Sequence, residues 1–380
     1  MNLIDCNSTI IYLAIITLST LMVMIPSLMS QLGKKYRNSS YKKNNMCIYF
    51  FYILSFIIAW LPSALRYGIG TDYNMYKYGY EYLYNINKSH YVLMPSELGY
   101  RLILEIVYNL LGGDSQWIFA ITSFITLSII YYVILKIKIV EINKSLALFM
   151  FLTMYYLSSY NIMRQYMAMS FVFIGYYYML VKENMKKYIL CIGLACLFHI
   201  TAVIMIPVYF IVNKISSKKN KIIICVFLLS LFIGYDFILG LIIKIDNFAR
   251  YNIYASNPLN SKSMWKIIAM RLPMLIIIYR KKYELCKSNK INNKLITLAI
   301  FEVLLSLFSN KNVWLYRLSY YFIFSYILLL PQVYSISIKK QKPFLGLYIV
   351  AYSFAYFLYN FMIVGIDQVC PYRSILDIIV

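Results

Sequence analysis

Acidic residues are scarce in this chain: 14 aspartates and glutamates stand against 37 lysines and arginines. Histidine occurs only at His90 and His199. Charged residues of both signs make up 13% of the sequence, about half the share of a soluble domain, roughly 25%. The seven cysteines are scattered, with no Cys-x-x-Cys, so neither a disulfide framework nor a zinc site is indicated. Walker A, His-Glu-x-x-His, Gly-x-Ser-x-Gly and Gly-x-Gly-x-x-Gly are all missing, which removes the nucleotide-binding and hydrolase classes those motifs mark. No Asp-x-Asp pair lies in the polar stretch after residue 65, which counts against a divalent metal holding a diphosphate there. No metal site and no cofactor are expected.

What is present is apolar. Hydrophobic residues make up 62% of the chain and the mean hydropathy is +0.66. Runs such as "IIYLAIITLSTLMVMIPSLM" (10–29) and "FLGLYIVAYSFAYFLYNFMIVG" (344–365) reach the roughly 20 residues that cross a bilayer. The chain therefore reads as a single polytopic, all-α integral membrane domain. The first run has no basic leader and no small-residue cleavage site, and is expected to stay as a span. Candidate spans fall at 9–30, 46–65, 116–135, 145–160, 161–181, 221–243, 265–279, 294–310, 313–334 and 344–365.

The net charge of +23 is not a nucleic-acid patch. Most of the lysines sit in short loops at 31–45, 136–144, 182–187, 213–221, 280–294 and 339–342, with only Glu141, Glu183 and Glu284 as acids. That is the pattern of cytoplasmic anchoring. All six loops share one side if 98–111 does not cross and 188–213 crosses twice, as a hairpin broken near His199. The expected bundle then has about 10–12 transmembrane helices. A single crossing at 188–213, with 98–111 also spanning, would put basic loops outside. The preferred topology places 66–115 on the outer face, with 98–111 as a short amphipathic or re-entrant helix. A second outer-face loop falls at 244–264.

Six arginines then gather toward the outer side as isolated residues: Arg66, Arg101, Arg164, Arg250, Arg271 and Arg317. A charge at depth costs about 2.5–3.5 kcal/mol, so such residues face a cavity or a partner. Arginine binds phosphate through a two-pronged fork, and an outer cluster suits a pyrophosphate or an anionic glycan. Each alone is as well explained by reaching to lipid headgroups. Asn161, Arg164 and Gln165 share one helix face by spacing. His199 lies between apolar residues and reads equally as a core histidine. Glu302 and Asp236 are acids at depth, best read as arginine partners. Most of the 41 tyrosines read as interfacial or packing residues.

Three stretches then carry a resemblance. "LRYGIGTDYNMYKYGYEYLY" (65–84), "NIMRQYMAMSFVFIGYYYM" (161–179) and "ILCIGLACLFHITAVIMIPVYF" (189–210) resemble, in order, three motifs of the EpsG family, multi-span proteins of the Wzy-type polysaccharide and O-antigen polymerase group. "VCPYRSIL" (369–376) looks similar too, whereas 213–345 matches only in general character. The resemblance implies a C-type glycosyltransferase fold in the cytoplasmic membrane, with the active site facing outward. It implies polymerisation of undecaprenyl-diphosphate-linked oligosaccharide repeat units, with one lipid-linked glycan as donor and another as acceptor. The bilayer and a chain-length regulator are the implied partners. By motif, Arg66, Gly70, Asp72 and Tyr73 belong to the first segment, Arg164 and Gln165 to the second, and His199 to the third.

The chemistry that fits assigns Arg66, Arg164, Arg250 and Arg317 to phosphate, and Gly70, Tyr73 and Gln165 to substrate. Asp72 and His199 are the catalytic candidates. Asp72 is slightly favoured as base, with His199 orienting acceptor or phosphate. Two other readings stand beside this one. A flippase or transporter of a lipid-linked glycan would need alternating access, and no internal repeat is visible. A transferase adding one sugar from a polyprenyl phosphate is less favoured by the missing acid pair.

Overall fold

A computed structural model describes residues 5–35, 45–86, 97–214, 261–307 and 313–379. The described residues are helical, with no sheet strand; a lone antiparallel bridge joins Arg66 to Ser374. The expected span 221–243, Asp236, Arg250, His90 and nearly all of the loop 244–264 lie outside the described residues.

Four helices are long and apolar enough to cross a membrane: Cys6–Met29 within α1 (Cys6–Lys35), Met46–Leu65 within α2 (Asn45–Leu65), α5 (Gln116–Leu135), and Lys342–Ile363, which begins with α15 (Lys342–Phe357). The pair Tyr316–Phe322 and Phe324–Ile336, bent by 41°, is together long and apolar enough for a broken span or a re-entrant loop; its second half is α14 (Phe324–Ile336). Ile10, Phe50, Ile53, Phe344 and Leu347 are more than half exposed. A soluble protein would not leave such residues in water along three helices, and lipid covers them at no cost. Together these features make the chain a polytopic helical membrane protein. Four more of the expected spans form α6 (Lys144–Met154, 11 residues), α7 (Met163–Leu180, 18 residues), α10 (Ser261–Arg280, 20 residues with Lys262, Lys266, Arg271 and Pro273 inside) and α12 (Ile291–Ser306, 16 residues).

Small polar residues knit the bundle. Ser55 Oγ donates to the Ser19 carbonyl at 2.7 Å, and Ser19 Oγ returns the bond to Ser55 at 3.2 Å. In lipid, small side chains let backbones approach, and packing rather than water holds helices together. α7 is central: Phe173 stacks on Phe324 with centroids 4.1 Å apart, and the Tyr176 hydroxyl donates to the Tyr321 carbonyl at 2.9 Å.

The break near His199 is present. α8 (Met185–Cys196) ends, His199 takes an extended backbone, and a tight 3-10 turn, Ile200–Ile204, leads into α9 (Met205–Lys214). The chain doubles back. Tyr188 donates to the Met205 carbonyl, Tyr209 to Glu183, and Asn213 to Met179. The basic loop at 182–187 and the end of α9 at Asn213 therefore lie at one end of this hairpin, with His199 at the other. α4 (Leu98–Leu110) has thirteen residues, about 20 Å at 1.5 Å per residue, too short to cross alone. Its Tyr100, Ile103, Leu104 and Val107 are buried on one face. α3 (Tyr73–Glu81) precedes it.

Candidate functional site

The charged motif after α2 is held by the far end of the chain. Tyr67 N–H donates to the Arg373 carbonyl, Gly70 N–H to Gln368, and Ile375 N–H to Leu65. Gly70 has φ +104, and a Cβ there would collide with Asn161 Oδ1. Glycine is needed for both reasons: the backbone region and the close approach.

Arg66 is 1% exposed. Its guanidinium donates to the Ser63 carbonyl at 2.6 Å and the Tyr160 carbonyl at 3.2 Å, and lies over the rings of Tyr160 and Phe119 at 4.5 and 4.9 Å. A cation enclosed in this way ties the loop to α5 and to the turn before α7 instead of facing a ligand. Tyr73 is also enclosed, stacked on Phe119 at 4.3 Å. Arg66 and Tyr73 therefore shape the site from behind.

Asn161 joins two acids. It does not cap α7, whose cap position is Ile162. Its Nδ2 donates to the Asp367 carbonyl at 2.9 Å, and its Oδ1 accepts from the Asp72 N–H at 3.4 Å. Asp367 is a carboxylate that sequence reasoning missed. Its φ is +69 and that of Gln368 is +48, unusual for residues other than glycine. Ser158 Oγ donates to Asp367 Oδ2 at 2.7 Å. Burial pushes the Asp367 carboxyl above its ordinary value; Ser158 and Asn161 oppose this, Asp72 adds to it, and Arg317 opposes it. Gln165 donates to the Arg317 carbonyl at 2.7 Å, so it positions the segment that carries Arg317.

Three helices away in sequence, a second group forms around another missed residue, Glu97. Arg164 Nη1 reaches Glu97 Oε2 at 2.9 Å, and His199 Nδ1 lies 3.5 Å from Glu97 Oε1. Glu97 is 8% exposed, Arg164 27% and His199 22%. The Arg164 guanidinium lies over Tyr100 at 5.5 Å and Tyr76 at 6.0 Å. Burial works to raise the Glu97 carboxyl, but the His199 contact and the Arg164 charge prevail and hold it down at about 2. The local fold explains the meeting. Gly99 N–H donates to the Leu197 carbonyl at 2.8 Å, and a Cβ on Gly99 would meet that oxygen at 2.9 Å. The start of α4 thus sits on the break before His199, and Glu97, two residues ahead of Gly99, falls beside the imidazole.

The structure brings Arg164 and His199 together through Glu97. It places Asp72, Asp367 and Arg317 in a neighbouring group across the first turn of α7. Arg271 belongs to neither: it pairs with Glu302 at 2.9 Å in the bundle core, both nearly fully buried, as expected of an acid at depth.

No curated protein matches this chain, and no solved structure matches it. The profile of the EpsG family matches residues 48–374, a range that holds every candidate residue above, and the chain belongs to the EpsG family.

Proposed function

We propose that this protein polymerises undecaprenyl-diphosphate-linked oligosaccharide repeat units by glycosyl transfer at the outer face of the cytoplasmic membrane. The observation that carries this reading is the seat of Arg164. It is a partly open guanidinium, braced on a buried carboxylate and walled by Tyr76 and Tyr100. Aromatic faces suit the C–H faces of sugars, and a fixed guanidinium suits a phosphate oxygen. EpsG membership supports a polysaccharide polymerase-type membrane protein.

In this reading the lipid tails stay in the bilayer and the sugar diphosphate enters at the end of the bundle where His199 and Asp72 lie. As the glycosidic bond to the diphosphate breaks, the sugar gains oxocarbenium character and the diphosphate gains negative charge. Arg164 and Arg317 stabilise that charge most where water is excluded. The acceptor hydroxyl of a second lipid-linked unit loses its proton to a base, for which Asp72 and His199 are the candidates. The positive-inside bias of the lysine loops supports the outward orientation.

The test in cells is complementation. A strain lacking this protein, supplied with the wild-type chain, regains long polymer. Supplied with Arg164→Ala, it displays single repeat units on its lipid carrier. Long polymer from Arg164→Ala would remove the phosphate role.

A further inference from the structure

Glu97 divides its carboxylate between two groups. Oε2 takes the Arg164 guanidinium at 2.9 Å, and Oε1 faces His199 Nδ1 at 3.5 Å. The Nδ1 atom is buried and makes no hydrogen bond among the described residues, so Glu97 is the acceptor it faces. A neutral imidazole carries its proton on one ring nitrogen and a lone pair on the other. The partner of one nitrogen decides which. A carboxylate facing Nδ1 keeps the proton there and leaves the lone pair on Nε2.

The backbone makes this arrangement rigid. His199 N–H donates to the Ala195 carbonyl at 3.0 Å, and the 3-10 turn that follows begins with Ala202 N–H donating to the His199 carbonyl at 3.1 Å. Phe198 stacks on Phe171 of α7 with planes 6° apart. Thr201 shares a hydrogen bond with the Tyr321 hydroxyl at 2.8 Å. The residues on both sides of His199 are thus pinned to two different helical segments, and Glu97 is pinned through Gly99. Little remains free except the imidazole, and Glu97 sets that.

We propose that Glu97 is a positioning residue that holds His199 as its Nδ1–H form, and that His199 Nε2 takes the proton of the acceptor hydroxyl. This rests on the glycosyl-transfer reading and moves the base from Asp72 to His199. In the step, the acceptor O–H bond breaks and its proton goes to Nε2. The acceptor oxygen bonds the donor's anomeric carbon. The bond from that carbon to the diphosphate oxygen breaks, and its electron pair leaves with the diphosphate. The imidazolium formed is stabilised by the Glu97 charge, the arrangement in which a buried carboxylate orients a histidine base. Because Arg164 shares the same carboxylate, the diphosphate clamp and the base are held at a fixed separation.

The test is spectroscopic first. His90→Gln leaves His199 as the one histidine, and 15N-histidine labelling then reports its tautomer in the purified protein. With the ring brought to its neutral form, Nδ1–H is expected; Nε2–H would overturn the proposal. Glu97→Gln offers one acceptor oxygen, for which Arg164 competes, and turns an amide N–H₂ toward the ring. Its rate of lengthening purified undecaprenyl-diphosphate repeat units should fall by about 10²–10⁴-fold, with Glu97→Asp recovering part of the loss because it keeps the charge. A wild-type rate from Glu97→Gln would also overturn the proposal, and the tautomer measurement stands even if that variant does not fold. If wild-type protein fails to lengthen the units while the Nδ1–H form is seen, the transfer reading fails and the positioning by Glu97 does not.

Discussion

Arg164 and His199 stand on different helical segments and meet on opposite oxygens of one carboxylate, Glu97. The pairing joins α7 to the tip of the α8–α9 hairpin. It places a cation and an imidazole on the same carboxylate in a chain that has only two histidines.

Arg164 should be irreplaceable by lysine. Arg164→Lys keeps the charge but loses the planar fork that, in the proposed reaction, divides itself between Glu97 and a phosphate. Removing a preorganised donor of this kind costs about 10²–10³-fold in rate. Initial rates of repeat-unit lengthening should fall by that order for Arg164→Ala and nearly as far for Arg164→Lys. A lysine variant at the wild-type rate would show that charge alone suffices.

Gly70→Ala should lower stability and activity together. The added methyl meets Asn161 Oδ1, and the φ of +104 disfavours any side chain; the backbone contribution alone is roughly 1–3 kcal/mol. Thermal melting in detergent reads the loss. Gly68→Ala serves as the control, since its Cβ meets nothing within 4 Å although its φ is also positive, and it should cost less.

Asp367→Asn should stabilise the protein as pH rises. The folded carboxyl is raised, so the fold prefers it protonated. That preference helps stability at low pH and is lost as pH rises from the ordinary carboxylate range through the raised value. Asparagine cannot ionise and accepts the left-handed backbone readily. The melting temperature of the variant should therefore exceed the wild type's at neutral pH, with the gap closing in acid. Glu97 has the opposite sign: its depressed value supports the fold above the usual carboxylate range, and that support fades only as pH falls toward about 2. An equal melting temperature at all pH values would refute the assignment for Asp367.

Glu302→Gln should be costly and the double change to apolar residues much less so. Arg271 and Glu302 are buried together, and the Tyr326 hydroxyl also donates to Glu302 at 3.3 Å. Breaking one side of such a pair costs about 3–5 kcal/mol, whereas apolar replacement of both is often neutral or better. Tyr326 keeps its bond to the Ala299 carbonyl at 3.1 Å in the double variant Arg271→Met with Glu302→Leu. Melting of the two variants side by side checks this.

The membrane class and the helical fold are written in composition: apolar runs near 20 residues leave few alternatives. The break at His199 was also legible, because lysine loops on both sides of 188–213 demand that the chain return. Arg164 and His199 could be singled out because charge and imidazole are rare in apolar surroundings. Glu97 was not, since nothing local distinguishes it from any acid before a helix; its role comes from Gly99 docking on Leu197, a contact about 100 residues apart. Asp367 escaped for the same reason. Its signal was the tail motif after residue 366, whose pairing with 65–71 is a tertiary fact. Arg66 reads as a phosphate ligand in the sequence, and only its enclosure by Tyr160 and Phe119 shows that it packs.

The most direct measurement gives purified protein in lipid vesicles its undecaprenyl-diphosphate-linked repeat unit, extracted from cells lacking this protein, and resolves the products on a gel. The account predicts a ladder of multiples of the repeat unit, absent with Arg164→Ala. Repeat units that cross the bilayer or remain single, with no ladder from the wild-type protein, would contradict it.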